Sequence, residues 1–341
     1  MEIVMINIGI IGCGHWGPNH IRSFSYLPNS TIVAAADMDN HRLQYIAEQY
    51  PHLSTHKDYK EILENPNVEA VVISTPTHTH YEITKKALQA GKHILCEKPL
   101  CKSVEEGEEL VSLAKTSRLV LMVGHIFLFN PGIIKLKELL KFNDLGRIYY
   151  LTAIRTNLGP VRNDVNTVYD LASHDISIFN FLLDSIPTEV SAIGASFLQK
   201  PIEDITFISL KYPGDILVNI RASWLDPKKV RQITIVGDKK MATWDDLAEM
   251  GPVVVYDKGV IREPYYNDYG EFQLLAREGD IAIPKIKMEE PLKAQNKYFL
   301  SCIEDRAVPI SDGTCGVNVV KVIIAITNSI SLEGQQVIIE K

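Results

Sequence analysis

The chain has 341 residues, of which 46% are hydrophobic and 23% charged, and its formal net charge is -7. This length suffices for two domains with separate cores, and the composition is typical of a globular protein. The acidic balance and the lack of any Lys/Arg cluster argue against a nucleic-acid partner. No apolar run approaches the roughly 20 residues that span a bilayer, so no membrane partner is expected. Five cysteines without metal-ligand spacing predict a reducing cytoplasm and no metal site.

A glycine motif follows the first strand-like run. Residues 6–11 are continuously apolar, which predicts a strand buried on both faces and argues against a signal peptide. The chain then reads Gly12-Cys13-Gly14-His15-Trp16-Gly17, a G-x-G-x-x-G motif before a helical stretch. Its glycines permit a tight turn, close approach of a pyrophosphate, and helix–strand packing. Such a hexapeptide alone can be a simple glycine turn, but in this context it predicts a dinucleotide site.

An aspartate ends the second strand-like run, residues 31–36. Asp37 stands roughly 20 residues beyond the glycines, where a carboxylate accepts the ribose 2'-hydroxyl and repels a 2'-phosphate, so NAD is favoured. Asp37 or Asp39 can instead cap the helix predicted over residues 41–50. Arg42 can stack on adenine or admit a phosphate, so NADP is not excluded.

Three more core strands are predicted over residues 68–74, 93–96 and 120–123, alternating with helices. This rhythm predicts a doubly wound parallel sheet, which makes the fold α/β. Each strand empties into a polar turn at the edge where such sheets bind ligands. The turns are Ser74-Thr75-Pro76 with His78 and His80 behind it, Glu97-Lys98-Pro99, and Gly124-His125. With no carboxylate or cysteine nearby, the two histidines are expected to line the cofactor crevice and not to bind metal.

The second half of the chain begins with a predicted strand over residues 148–157 and a polar loop, followed by Asp170 and His174. On a helix this i, i+4 pair lies on one face, so the carboxylate can orient the imidazole as a base. Such a pair can also be a purely structural contact. Successive strands over residues 189–245 then predict an α+β domain with a large, mostly antiparallel open sheet, and residues 256–290 read as loops and short strands. Helices are predicted over residues 291–304 and 316–332.

These motifs together resemble the Gfo/Idh/MocA family of sugar dehydrogenases. The resemblance is carried by the glycine motif, Ser74-Thr75-Pro76, Glu97-Lys98-Pro99, and Gly124-His125 before Phe129-Asn130-Pro131. It implies a Rossmann domain over residues 1–125 and an α+β substrate-binding and oligomerisation domain over residues 126–341, whose last helix can pack back on the first domain. It also implies a homodimer or homotetramer formed through the second sheet. Two departures stand out: many members carry arginine where Leu128 stands, and a glycine pair where Asn166 and Thr167 stand.

The resemblance implies site residues as well. The catalytic set is Lys98, His174 and Asp170. The cofactor set is Gly12, Gly14, His15, Trp16, Gly17, Asp37, Arg42, Ser74, Thr75, Pro76, His80, Glu97, Lys98 and His125. We hypothesise that His174, oriented by Asp170, removes the proton of a secondary alcohol, while Lys98 stabilises the alkoxide. The reverse assignment, with Lys98 as the base, is open.

The substrate is inferred from the same resemblance. The segments around residues 124–131, 155–159 and 170–176 are similar to the branch that includes the UDP-N-acetylglucosamine 3-dehydrogenases. Arg155, Asn157 and Arg162, together with Lys98, Asp170 and His174, are then expected to contact the nucleotide sugar, because arginine suits phosphate. Both arginines can equally be solvated. The alternatives are an inositol or free-sugar dehydrogenase, and a non-catalytic NAD-binding sensor.

Overall fold

A computed structural model describes residues 5–262 and 274–340 of the chain. The chain divides into two compact units. The first unit comprises Met1–Phe129 and Glu289–Lys321, and the second comprises Asn130–Met288 and Val322–Lys341. Each unit is built around its own large sheet.

The first unit contains a parallel sheet of six strands within the described residues. They are β1 (Ile6–Ile11), β2 (Ser30–Ala36), β3 (Ser54–His56), β4 (Ala70–Ile73), β5 (His93–Cys96) and β6 (Leu121–Val123). Their spatial order is β3-β2-β1-β4-β5-β6, and all the pairings are parallel. Every residue of β4 is buried, as expected when helices cover both faces of a sheet. The prediction of a doubly wound parallel sheet is confirmed, although β3 was missing from it.

Five helices connect these strands: α1 (Trp16–Ser25), α2 (Asn40–Gln49), α3 (Lys60–Glu64), α4 (His80–Gln89) and α5 (Val104–Ser117). Local chemistry sets where they begin. The Asp39 carboxylate accepts the His41 N–H at 2.8 Å and caps α2. The Ser103 hydroxyl accepts the Glu106 N–H at 3.2 Å and caps α5.

The second unit holds a sheet in which nine strands pair among the described residues. In chain order its elements begin with α6 (Pro131–Lys141), β7 (Ile148–Leu158) and α7 (Ser173–Leu183), and a π-helical turn, Val168–Ala172, precedes α7. The remaining strands are β8 (Glu189–Ala195), β9 (Ile205–Tyr212), β10 (Ile216–Ser223), β11 (Leu225–Gly237), β12 (Met241–Asp245) and β13 (Val253–Tyr256). A separate hairpin, β14 (Gly259–Arg262) with β15 (Leu274–Arg277), is followed by β16 (Ile281–Ala282). Residues 263–273, within the stretch expected to be loops and short strands, lie outside the described residues.

The order in this sheet is β16-β13-β12-β11-β7-β10-β9-β8-β17, where β17 is Val337–Ile338. Among the described strand pairings of this second sheet, only the β7–β10 pair is parallel, so the predicted mostly antiparallel sheet is confirmed. Along β9 and β10 buried positions alternate with more exposed ones. This alternation is the pattern of a sheet with one face in a core and the other open.

Two long helices follow. Helix α8 (Pro291–Asp305) belongs to the first unit, where the Phe299 ring meets the Phe24 ring edge-on at 6.5 Å. Helix α9 (Gly313–Ser331) begins in the same unit, and a Cβ at Gly313 would lie 2.8 Å from the Leu121 side chain. By length and composition α9 could span a membrane, so the expectation that no apolar run comes near that length is corrected. Of its most apolar stretch, 56% is buried, which is typical of a core helix in a globular protein.

Candidate active site

The turns predicted to form a site all lie at the carboxyl edge of the first sheet, because parallel strands end on the same side. Hydrogen bonds tie these turns to one another. The Ser74 hydroxyl donates to the Gly12 carbonyl oxygen at 2.7 Å, and the Gly124 N–H donates to the Cys96 carbonyl oxygen at 2.7 Å. The turns that follow β1, β4, β5 and β6 therefore lie next to one another at the carboxyl edge of the sheet.

The glycine turn has the shape that a pyrophosphate requires. Gly12 has a φ of +97°, which favours glycine. A Cβ at Gly17 would lie 2.2 Å from the Gly12 carbonyl oxygen, so only glycine fits there. At the start of α1 no side chain caps the helix at His15, and the first N–H groups of a helix have no hydrogen-bond partner within the helix. An uncapped helix start beside a glycine cradle fits the diphosphate of a dinucleotide.

Asp37 braces this turn from the end of β2. Its Oδ2 accepts the Cys13 N–H at 2.7 Å, and its Oδ1 accepts the Asp39 N–H at 2.8 Å. The Arg42 guanidinium reaches Asp37 Oδ2 at 3.4 Å and lies 3.5 Å from the position of a Cβ on Gly14. Burial, and then the Asp37 charge, raises the pKa of the Cys13 thiol to about 12, so this thiol stays protonated. Asp37 thus supports the glycine turn in addition to its predicted ribose contact.

The turn that carries Lys98 is anchored through its neighbours. Glu97 is only 9% exposed, and its Oε1 lies 2.9 Å from Nε2 of His20, which is fully buried in α1. A Cβ at Gly124 would lie 3.1 Å from Glu97 Oε2, so the carboxylate sits between the β5 and β6 turns. Sequence reasoning missed His20. The available signal was a polar residue three positions beyond the last glycine of the motif.

His80 lies beneath two of these turns. It is 1% exposed, with Nδ1 at 2.7 Å from the Pro99 carbonyl oxygen and Nε2 at 2.8 Å from the Thr75 carbonyl oxygen. Burial lowers its pKa more strongly than these two carbonyl groups raise it. Both ring nitrogens face backbone carbonyl oxygens, and because the imidazole is neutral near pH 7 only one of them donates a hydrogen bond at a time. His80 therefore supports the crevice, where a direct cofactor contact had been expected.

His125 has a different environment. It is 1% exposed, and neither ring nitrogen has a hydrogen-bond partner in residues 5–262 and 274–340. Burial, and then the charge of Lys98, lowers its pKa from 6.5 to about 3. The imidazole is therefore neutral near pH 7 and offers one donor and one acceptor beside Lys98.

In the second unit, Asp170 lies in the π-helical turn before α7, and His174 lies in the first turn of α7. The Trp224 indole N–H donates to Asp170 Oδ2 at 3.0 Å, and Arg162 Nη1 lies 3.3 Å from Asp170 Oδ1. Trp224 is buried, and nothing in the sequence spacing pointed to it. The carboxylate predicted to orient the base is thus itself oriented by two donors.

The residues predicted to contact substrate are placed differently from one another. Arg155 is 2% exposed and forms two parallel hydrogen bonds with Asp175 of α7, both at 2.8 Å. This placement gives Arg155 a role in holding α7, in place of the expected phosphate contact. The Asn157 amide donates to the Gly159 carbonyl oxygen. The Arg162 side chain, 40% exposed, combines solvent access with a contact to Asp170.

Comparison with models of protein families shows which family the chain belongs to. Residues 6–125 match the GFO/IDH/MocA model described as an oxidoreductase family with an NAD-binding Rossmann fold. Residues 133–243 match the model of the GFO/IDH/MocA C-terminal domain. The chain belongs to the GFO/IDH/MocA family. The predicted NAD cofactor is confirmed by this family's NAD-binding fold, which agrees with the glycine cradle described above.

Relatives within the GFO/IDH/MocA family match to different extents. The UDP-N-acetylglucosamine 3-dehydrogenase of Acidithiobacillus ferrooxidans is 26% identical over 315 residues, 92% of this chain and 94% of that protein. Inositol 2-dehydrogenase 2 of Saccharopolyspora erythraea is 30% identical over 222 residues, and the chain spans 66% of its length. The chain spans 59% of another relative, the uncharacterized oxidoreductase YrbE of Bacillus subtilis. The solved structure of the Acidithiobacillus enzyme has a TM-score of 0.82 at 24% identity and covers 96% of this chain and 98% of that one, which establishes the fold.

This GFO/IDH/MocA member builds the turn before Asp170 without the glycine pair. Asn166 Oδ1 accepts the Tyr169 N–H at 3.2 Å, and Asn166 Nδ2 donates to Glu203 Oε2 at 2.7 Å. The Thr167 N–H donates to the Glu203 carbonyl oxygen at 3.0 Å. Side-chain hydrogen bonds hold this turn where glycine would supply backbone freedom.

Proposed function

We propose that the protein is an NAD-dependent dehydrogenase that oxidises a secondary hydroxyl of a sugar, specifically C3 of a nucleotide-activated sugar such as UDP-N-acetylglucosamine. The observation that carries the dehydrogenase proposal is the joined carboxyl edge of the first sheet, where the glycine cradle and the Lys98 turn lie side by side. The substrate proposal is supported by the match to UDP-N-acetylglucosamine 3-dehydrogenase over 92% of the chain.

Each unit contributes defined chemistry in this proposal. NAD, when bound, accepts the hydride from the alcohol carbon. His174 takes the hydroxyl proton as general base, and Asp170 sets its orientation. The ammonium of Lys98 lowers the free energy of the developing alkoxide by charge and hydrogen bonding. Trp224 and Arg162 keep the Asp170 carboxylate in place, so they act on the base indirectly.

Substitution separates the two assignments of the base. A general base contributes about 10²–10⁴-fold, so we expect His174→Ala to lower kcat by that factor with NAD and UDP-N-acetylglucosamine. Lys98→Ala is expected to lower kcat as well, because the alkoxide loses its counter-charge. If His174→Ala kept near-normal turnover while Lys98→Ala abolished it, Lys98 would be the base.

A second candidate is an inositol or free-sugar dehydrogenase, which the 30% identity to inositol 2-dehydrogenase 2 favours. Steady-state NADH formation with UDP-sugars, inositols and free aldoses decides between the two. Arg162 adds a sharper test, because it is the partly exposed guanidinium beside Asp170. If the substrate carries a diphosphate, Arg162→Ala should raise KM for UDP-N-acetylglucosamine at least about tenfold. An unchanged KM would argue against a phosphate contact by this residue.

A non-catalytic NAD sensor is the alternative from another class. Such a protein would need the glycine cradle but neither Lys98 nor His174, and this chain has both. Fluorescence of bound NADH would show binding in either case. Only a dehydrogenase would consume that signal when the keto form of its substrate is added.

We further propose a cytoplasmic homodimer or homotetramer formed through the open face of the second sheet. Ile193 and Phe207 lie directly opposite each other on this face and are 62% and 49% exposed. Leu217, 58% exposed, lies beside Tyr150, 44% exposed. Exposed apolar patches of this kind favour association. Light scattering should show a monomer for Phe207→Asp if this face is the interface. The cytoplasmic location is supported by the five cysteines, all of which are free thiols.

A further inference from the structure

Two buried histidines flank the turn that carries Lys98. His20, fully buried, holds the Glu97 carboxylate through Nε2 at 2.9 Å, and Glu97 directly precedes Lys98. His80, 1% exposed, holds the carbonyl oxygen of Pro99 through Nδ1 at 2.7 Å, and Pro99 directly follows Lys98. Glu97 Oε2 also accepts the Lys98 N–H at 3.3 Å. The backbone at Lys98 is therefore fixed on both sides.

The two histidines belong to helices that follow cofactor turns. His20 lies one turn into α1, the helix that starts from the glycine cradle. His80 is the first residue of α4, and its Nε2 contacts the carbonyl oxygen of Thr75, in the turn that follows β4. His80 thus lies between the turn after β4 and the Lys98 turn, and His20 links helix α1 to the Lys98 turn.

Burying two histidines beside Lys98 costs folding free energy, and an apolar core would avoid this cost. The cost therefore suggests that the two histidines have a function. A buried polar group costs free energy unless it is hydrogen-bonded, and Nδ1 of His20 has no hydrogen-bond partner among the described residues. Apolar residues of similar size would fill this core without that cost. Bonds to fixed points on both sides of a residue fix its backbone. A fixed backbone is one requirement for placing a side-chain charge within the small tolerance that catalysis allows.

We propose that His20 and His80 are positioning residues that set the location of the Lys98 ammonium relative to the cofactor turns. Neither histidine needs to touch substrate or cofactor. This inference rests on the proposed role of Lys98, and it adds that the orientation of Lys98 depends on the two imidazoles.

The test compares His20→Leu and His80→Leu with the corresponding glutamine variants, which keep N–H donors. The measured quantities are kcat per NADH-binding site and the NADH dissociation constant, obtained by fluorescence titration. A misplacement of about 1 Å can cost about 10²-fold, so each leucine variant should lower kcat at least about tenfold. The NADH dissociation constant should change less than about threefold, and each glutamine variant should recover most of the lost turnover.

His93→Leu is the matched control. His93 is a half-buried histidine of β5, the same strand that leads to Lys98, and its Nδ1 accepts the Val120 N–H at 3.0 Å at the opposite end of that strand. Its loss should lower thermal stability and leave kcat per site unchanged. A second readout is the pKa of Lys98, followed by NMR of ¹³C-dimethylated lysines and assigned with Lys98→Arg. This pKa should shift in His20→Leu and His80→Leu but not in His93→Leu.

The inference would be overturned if kcat per site and the Lys98 pKa were unchanged in both leucine variants, or if His93→Leu lowered kcat equally. A change in only one variant would remove the other histidine from the proposal. Should a leucine variant fail to fold, the asparagine variant, which shortens the donor and breaks the contact, replaces it. Lys98→Ala separates the two proposals, because full turnover in that variant would refute the proposed function itself.

Discussion

Burial of His125 should make the folded protein sensitive to acid. Its pKa falls from 6.5 to about 3 in the folded state, because burial and the nearby Lys98 charge disfavour the imidazolium. Between these values the unfolded chain binds a proton that the folded chain does not, so stability falls as the pH falls below 6.5. Each pKa unit is about 1.4 kcal/mol, so at pH 5.0 the loss from this residue is about 2 kcal/mol.

Urea unfolding at pH 7.5 and pH 5.0, followed by circular dichroism, measures this loss of folding stability. Other groups also titrate in this range, so the informative quantity is the difference between wild type and His125→Gln, which has no titrating group. We expect the wild type to lose about 2 kcal/mol more than the variant between the two pH values. The control is Leu128→Met, which alters packing in the same turn but keeps the imidazole and should keep the wild-type pH dependence. Equal losses in wild type and His125→Gln would refute the reasoning.

Three further predictions concern single contacts. Gly17→Ala places a Cβ 2.2 Å from the Gly12 carbonyl oxygen, so NADH titration should show affinity weakened at least about tenfold, and unchanged affinity would contradict the cradle. Arg155→Met leaves Asp175 buried and unpaired, so urea unfolding should show a loss of about 3–5 kcal/mol, most of which the double variant with Asp175→Leu should restore. If the double variant were no more stable than the single one, the ion pair would not be the cause. Trp224→Phe removes the indole donor from the proposed orienting carboxylate and should lower kcat several-fold with the NADH dissociation constant unchanged, whereas a change confined to NADH binding would contradict this role.

Local patterns predicted most of the elements because their causes are local. The β5 strand over residues 93–96 was predicted with the bounds that the structure has. Continuous apolar runs identify strands buried on both faces, and side chains such as Ser103 mark helix starts. The short β3 strand was missed because Ser54–His56 carries no apolar run, and it forms only by pairing with β2.

For the site residues, too, the sequence was informative where their chemistry depends on local spacing. The glycine motif and Asp37 could be proposed as cofactor residues from the sequence because their chemistry depends on residue type at fixed spacing after a strand. Arg155 was expected at a ligand, since sequence spacing does not show that Asp175 lies within reach of its guanidinium. His80 was expected to line the crevice because the sequence does not show that the carbonyl oxygens of Thr75 and Pro99 lie against its ring.

The sequence by itself determined the dinucleotide fold of the first half, the sheet of the second, and the identity of the residues that carry charge, because periodicity and spacing are local properties. Only the tertiary structure decided which buried side chains act on others: the His20–Glu97 pair, the His80 contacts, the Arg155–Asp175 pair and the Trp224–Asp170 bond. Apart from the His80–Thr75 contact, which spans 5 positions, these contacts join residues 19 to 77 positions apart, and no local pattern specifies a partner at such distances.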